Sequence, residues 1–182
     1  MFSQNTPPTR FDLSFKSFGI PVRVHPGFWI MALLFGLGRP DALPSWIVVV
    51  FFSILLHELG HSLTMRFFGV RSHILLHMMG GLAISDGQEQ TRLATWQNIL
   101  IVFALLIGGS WLVDSVIVWS SILPNIYLPY DDVPEIVLTI LNQLLWVNLY
   151  WGLLNLLPVF PLDGGQIAAY LLSYFDQQNG FR

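Results

Sequence analysis

The sequence predicts an all-α membrane protein, a polytopic bundle of about four transmembrane helices with a small membrane-associated β element, in a single domain over residues 1–182. Three observations predict it. Apolar residue types make up 54% of the chain and charged types only 10%, against roughly 25% charged in an average soluble protein. So few charges cannot cover the surface of a water-soluble domain this size, and the mean hydropathy is +0.62. The apolar residues are gathered into long runs divided by turn signals. One of those runs carries a cluster of ionisable residues, which is costly in lipid and marks function by default. The net charge of −3 leaves no electrostatic footprint for nucleic acid. The absence of cysteine excludes a disulfide framework and a thiolate metal site, so any metal must rest on His and carboxylate.

The N-terminal segment to about Arg23 is polar and partly basic. Met1 to Arg10 lacks the basic-then-apolar run of a cleavable signal peptide, so the first apolar segment is expected to stay as an anchor. Pro21 and its Val neighbours predict a strand over about Ile20 to Val24. A first apolar stretch, about 26–38, is short for a full span, which needs about 20 residues. The turn Gly38-Arg39-Pro40-Asp41 follows. A second span, about 44–68, is interrupted at one place, His57-Glu58-Leu59-Gly60-His61. Residues from Ile74 to Leu82 predict a second strand, broken by Gly80-Gly81. A third span, about 96–118, has Gly108-Gly109-Ser110 at its middle, where another helix can approach closely. A fourth, about 136–157, ends in Pro158-Val159-Phe160-Pro161-Leu162-Asp163-Gly164-Gly165. A short helix is expected over 166–176.

Basic residues set the orientation. Arg10, Lys16 and Arg23 precede the first span, and Arg66, Arg71 and Arg92 lie between the second and third. The loop between the third and fourth has acidic residues and no basic one. Both termini are therefore expected in the cytoplasm, which brings the His57 cluster and Asp163 to the same, cytoplasmic, depth. Trp29, Trp46, Trp96 and Trp119 near span ends suit an aromatic belt.

His57-Glu58-x-x-His61 places two imidazoles at i and i+4 on one helix face, aimed at one ion. Glu58, beside the first ligand, can reach water held by that ion and act as general base. A catalytic zinc needs a third protein ligand and an open position. Asp163 is the choice. It follows two prolines on backbone that cannot be regular helix, and such backbone at membrane depth is tolerated where it is buried or lines a wet cavity. Seen alone, Asp163 also suits a helix N-cap; its shared depth with His57 favours ligation. His73 and His77, also four apart, read as interfacial strand residues, and His25 as interfacial. Asp114, Asn142, Gln143 and Asn148 either line a polar cavity or tie helices together.

His57-Glu58-Leu59-Gly60-His61, paired with Asn155-Leu156-Leu157-Pro158-Val159-Phe160-Pro161-Leu162-Asp163-Gly164, resembles the site-2 protease family of intramembrane metalloproteases. Its second motif, N-x-x-P-x-x-P-x-D-G, is matched throughout, and the resemblance covers roughly Pro21 to Leu172. The resemblance implies one Zn2+ per chain on His57, His61 and Asp163, with Glu58 catalytic. It implies that Asn155 helps bind substrate or steadies the transition state, and that Gly80 and Gly81 end a membrane-dipping, substrate-binding strand. It implies hydrolysis of peptide bonds in or near transmembrane segments of membrane-anchored substrates: regulators such as anti-sigma factors, pro-proteins or leftover signal peptides. The expected setting is a multi-pass protein of the cell membrane, a prokaryotic plasma membrane, with the active site toward the cytoplasm. The expected partners are a membrane-anchored protein substrate and the bilayer, and no nucleic acid. The chain departs from the family in lacking its Gly-Pro pair in the third span and in leaving no room for a PDZ domain. It ends at Arg182, as a minimal core or one without further C-terminal spans. Two other functions use the same residues: a metal-binding membrane transporter, which needs a polar path on both sides of the site, and a non-catalytic membrane scaffold, which would suit a chain in which Glu58 or Asp163 had been replaced.

Overall fold

The structure is a computed structural model that describes residues 7–86, 134–159, 162–165, 167–169 and 172. The predicted third span, with Asp114, lies outside the described residues.

The chain opens with a hairpin of β1 (Leu13–Ser17) and β2 (Ile20–Val24). Phe18 and Gly19 make its turn with φ of 49° and 77°, the two positive values that a two-residue turn needs to match the strand twist. The Arg66 guanidinium donates to the Phe18 carbonyl at 2.9 Å and holds this turn on the end of α2. His25 then caps α1 (Pro26–Gly36): its Nδ1 accepts from the Gly27 amide at 3.0 Å, with Pro26 in the first turn. A short 3-10 turn, Pro40–Ala42, leads into α2 (Leu43–Phe67). The chain returns as β3 (Ser72–His77), which pairs parallel to β2, and turns back as β4 (Gly80–Ser85). The helix α3 (Glu135–Asn155) closes the bundle.

The sheet has the order β1-β2-β3-β4. It is larger than expected. The single predicted strand over Ile74 to Leu82 is a hairpin, because Met78-Met79 turn the chain and Gly80, with φ of 118°, supplies a conformation L side chains rarely adopt. The strand β1 was not expected; its residues are mostly solvent-facing, although Phe11, Leu13 and Phe15 alternate with Asp12, Ser14 and Lys16. β4 is an edge strand among the described residues. The core lies between sheet and helices. Val22, Val24, Ile74 and Leu76 pack against Phe28 of α1 and Ile54 and Leu59 of α2.

Among the described residues, two helical segments are long and apolar enough to cross a membrane: Pro40–Phe67, which includes the 3-10 turn, and Glu135–Asn155. α1 has 11 residues, about 16 Å at 1.5 Å per residue, short of a hydrocarbon core about 30 Å thick. The predicted first span is thus not a complete helical crossing. The apolar window of α3 is only 6% buried, and Ile30, Leu34, Phe52 and Leu153 on the three helices are all more than half exposed. An apolar surface of that extent is what lipid covers. Of the polar residues left open between cavity and tie, Gln143 is both, lining a cavity with Asn142 as well as bridging helices, and Asn148 is a tie. Gln143 Nε2 donates to the Ala42 carbonyl at 3.2 Å, and Asn148 Nδ2 reaches Ser53 Oγ at 3.5 Å, both joining α3 to α2 or its leading turn.

Candidate metal centre and active site

Two pieces of chain more than a hundred residues apart meet at one point. His57 and His61 lie one turn apart on α2, with ring centroids separated by 4.8 Å. Their Nε2 atoms are 3.1 Å apart. Asp163 Oδ2 lies 3.0 Å from His57 Nε2 and 3.2 Å from His61 Nε2. One ligand-type atom from each of the three residues therefore lies at a corner of a nearly equilateral triangle. Hydrogen bonds alone do not satisfy it. If both imidazoles donate to the carboxylate, their N–H groups confront each other at 3.1 Å. A shared cation removes the conflict, since each nitrogen then offers a lone pair. Zinc bound at about 2.0–2.2 Å from N and O ligands fits above such a triangle with a further position open.

The backbone that delivers Asp163 depends on its neighbours. After α3 the chain folds back through close turns, with Val159 N bonded to Leu157 O at 2.7 Å and Leu162 N to Val159 O at 2.9 Å. Asp163 and Gly164 begin a helical turn packed on the end of α3. A Cβ on Gly164 would fall into the Leu156 carbonyl group and 2.6 Å from Leu157 O. Only glycine lets the Asp163 loop lie this close, and the signal for Gly164 in the sequence is its place in the motif. Burial pushes the Asp163 carboxyl up, and the two imidazoles overcome that and hold it well below the usual carboxylate range.

Glu58 is buried, with 5% of its surface exposed, and it lies against β4. A Cβ on Gly81 would clash with Glu58 Cγ and sit 2.6 Å from Glu58 Oε1. The carboxylate therefore rests on the bare backbone of the edge strand. Gly80 has a different neighbour, the Trp151 indole of α3, which fills the space where its Cβ would be. Asn155 is buried at the last residue of α3. His73 pairs with Asp86 at the exposed end of the hairpin, and His77 is buried at its turn. Neither belongs to the His57, His61 and Asp163 group.

Residues 120–180 match the family described as Peptidase family M50, a stretch that contains Asn155 to Gly164. A solved site-2 protease of Methanocaldococcus jannaschii superposes with a TM-score of 0.63 and 28% identity, covering 90% of this chain and 73% of the other. The chain is similar to the site-2 proteases over most of its length. A zinc metalloprotease of the same archaeon is 33% identical over 164 residues, 87% of this chain and 44% of that protein. The putative zinc metalloprotease Rip3 of Mycobacterium tuberculosis is 30% identical over 171 residues, 84% of this chain and 42% of that protein. The chain thus spans less than half the length of these curated relatives. The similarity of a zinc metalloprotease and the His57, His61 and Asp163 group agree on zinc as the metal.

Proposed function

We propose that this protein is an intramembrane zinc metalloprotease that hydrolyses peptide bonds in or near the transmembrane segments of membrane-anchored proteins. The observation that carries the reading is the convergence of His57, His61 and Asp163, beside which Glu58 is buried. His57 Nε2, His61 Nε2 and an Asp163 oxygen would hold the zinc. When bound, zinc polarises the scissile carbonyl and lowers the pKa of water at the site. Glu58 takes a proton from the attacking water and delivers it to the leaving amine. Gly81 gives Glu58 the clearance to do so.

A peptide bond within a helix is shielded, because its carbonyl already accepts a hydrogen bond from the residue four ahead. The substrate must therefore be unwound where it is cut, and its freed amides need partners in lipid. The edge strand β4 offers a ladder for that extended segment, with Gly80 and Gly81 seating Trp151 and Glu58 against that strand and Asn155 contributing a side-chain amide. The basic residues before α1 and after α2 support both termini in the cytoplasm and an active site toward that side. The test is Glu58→Gln, assayed on a model transmembrane peptide. Cleavage should be abolished while zinc stays bound; an active Glu58→Gln protein would sink the assignment of the base.

A further inference from the structure

Above the metal centre, toward the opposite end of α2, the three helices and the β3–β4 turn line a partly open cavity of about 280 Å3 whose wall is almost wholly apolar. Two helix stripes lead from it toward the active site. On α2, Trp46, Val50 and Ile54 line it, and Glu58 is the next residue at the same four-residue spacing, one turn or about 6 Å further along the axis. On α3, Val147 and Trp151 line it, and buried Asn155 is next in that series. Gly80, adjoining the Gly81 on which Glu58 rests, closes the near end.

One polar group breaks the apolar wall. His77 lines the cavity and is 9% exposed, and its Nε2 is buried without a hydrogen-bond partner. Its Nδ1 accepts from the Met79 amide at 3.0 Å, which puts the ring proton on Nε2 and makes that atom a donor lacking an acceptor. Burial, and then the nearby charge of His25, pushes this imidazole below its ordinary range and keeps it neutral. A buried donor left unmade is expensive. Water is a poor answer, because an ordered water wants two to four polar partners and the wall is apolar.

We infer that this cavity is the specificity pocket of the site: it receives one large apolar side chain, Leu- to Phe-sized, from the unwound substrate segment, and His77 Nε2–H donates to a main-chain carbonyl of that same segment. A dry apolar cavity of about 150 Å3 already admits benzene, so this one admits such a side chain. The donor without an acceptor and the carbonyls freed by unwinding complete each other. The inference rests on the proteolytic reading, and two readouts separate them.

The first uses zinc-loaded Glu58→Gln protein and a transmembrane peptide carrying a photoreactive leucine analogue, moved one residue at a time across the cut region. One register should crosslink to Met31 or Trp151 on the cavity wall, whether or not the wild-type protein cleaves. No cavity crosslink at any register, or a lipid chain retained there in the presence of peptide, overturns the pocket. The second uses active protein. Replacing Leu by Ala at the crosslinking register should lower kcat/KM about tenfold or more, and Val147→Phe, which fills the cavity, should reverse the preference. Ala32→Leu serves the same purpose if Val147→Phe does not fold. His77→Asn keeps an acceptor for the Met79 amide but removes the Nε2 donor. It should lower kcat/KM at unchanged zinc content, and His77→Gln, which restores a donor at that distance, should recover it. Equal cleavage of Leu and Ala peptides at every register overturns the pocket while leaving proteolysis intact.

Discussion

Gly81→Ala isolates the catalytic base from the metal. The added Cβ would clash with Glu58 Cγ and lie 2.6 Å from Oε1 and 2.7 Å from Cδ. Ordinary contacts of this kind begin near 3.4 Å, so the carboxylate must retreat by somewhat under about 1 Å. Glu58 has nowhere easy to go, being 5% exposed and packed into α2. A misplacement of about 1 Å costs on the order of 100-fold in rate. Cleavage of a transmembrane peptide by Gly81→Ala should fall by about that factor, with zinc content unchanged because the atoms nearest the new Cβ all belong to Glu58 and to none of the three ligand residues. Gly38→Ala is the control: a Cβ there meets nothing within 4 Å, and such surface changes usually stay within about 0.5 kcal/mol. Wild-type turnover by Gly81→Ala would refute the claim that Glu58 works from its seat on β4. Loss of zinc would show that the strand supports the metal and not the base.

The other expectations concern the metal and the substrate. His57→Ala, His61→Ala and Asp163→Ala should each weaken zinc binding by more than the roughly 10–100-fold that loss of an outer-shell partner costs, measured by competition with a chelator; full zinc affinity in Asp163→Ala would move the third ligand elsewhere. Gly164→Ala should also weaken zinc binding, because the Cβ drives the Asp163 turn off the Leu156 carbonyl, and an unchanged affinity would show that the loop has slack. A transmembrane peptide with Gly, Pro or Asn near its centre should be cut faster than a stable poly-leucine helix; equal rates would count against an unwound substrate on β4. Met79→Pro should slow cleavage with zinc in place, since it removes the amide that donates to His77 Nδ1; an unaffected rate would show that the turn does not matter.

What could be read from the sequence divides by the range of the interaction. His57 and His61 were legible because helix periodicity alone puts them on one face. Asp163 was legible from depth: basic residues oriented the spans, and irregular backbone in a membrane needs a reason. β2 was marked by Pro21 and its Val neighbours. β1 carries the signal in Phe11, Leu13 and Phe15, which alternate with Asp12, Ser14 and Lys16, but the strand is short and mostly exposed and is held by pairing with β2. The β3–β4 turn was missed because Met78-Met79 carry no turn signal, and the demand on Gly80 shows only in its φ. The sequence marks Gly81 as a strand glycine. Its contact with Glu58 joins residues brought together by packing, which no local pattern reveals. The same holds for His77, whose sequence neighbours say strand and whose unpartnered nitrogen depends on three helices folding over it.

The most direct measurement strips the purified protein of metal with a chelator, then titrates zinc back while following both bound zinc and cleavage of a transmembrane peptide. Activity should be absent without metal and rise in proportion to bound zinc, saturating at one zinc per chain, and Glu58→Gln should bind the same zinc without cleaving. Cleavage by the metal-free protein, or none at full zinc occupancy, would contradict a zinc centre on His57, His61 and Asp163 that works through Glu58.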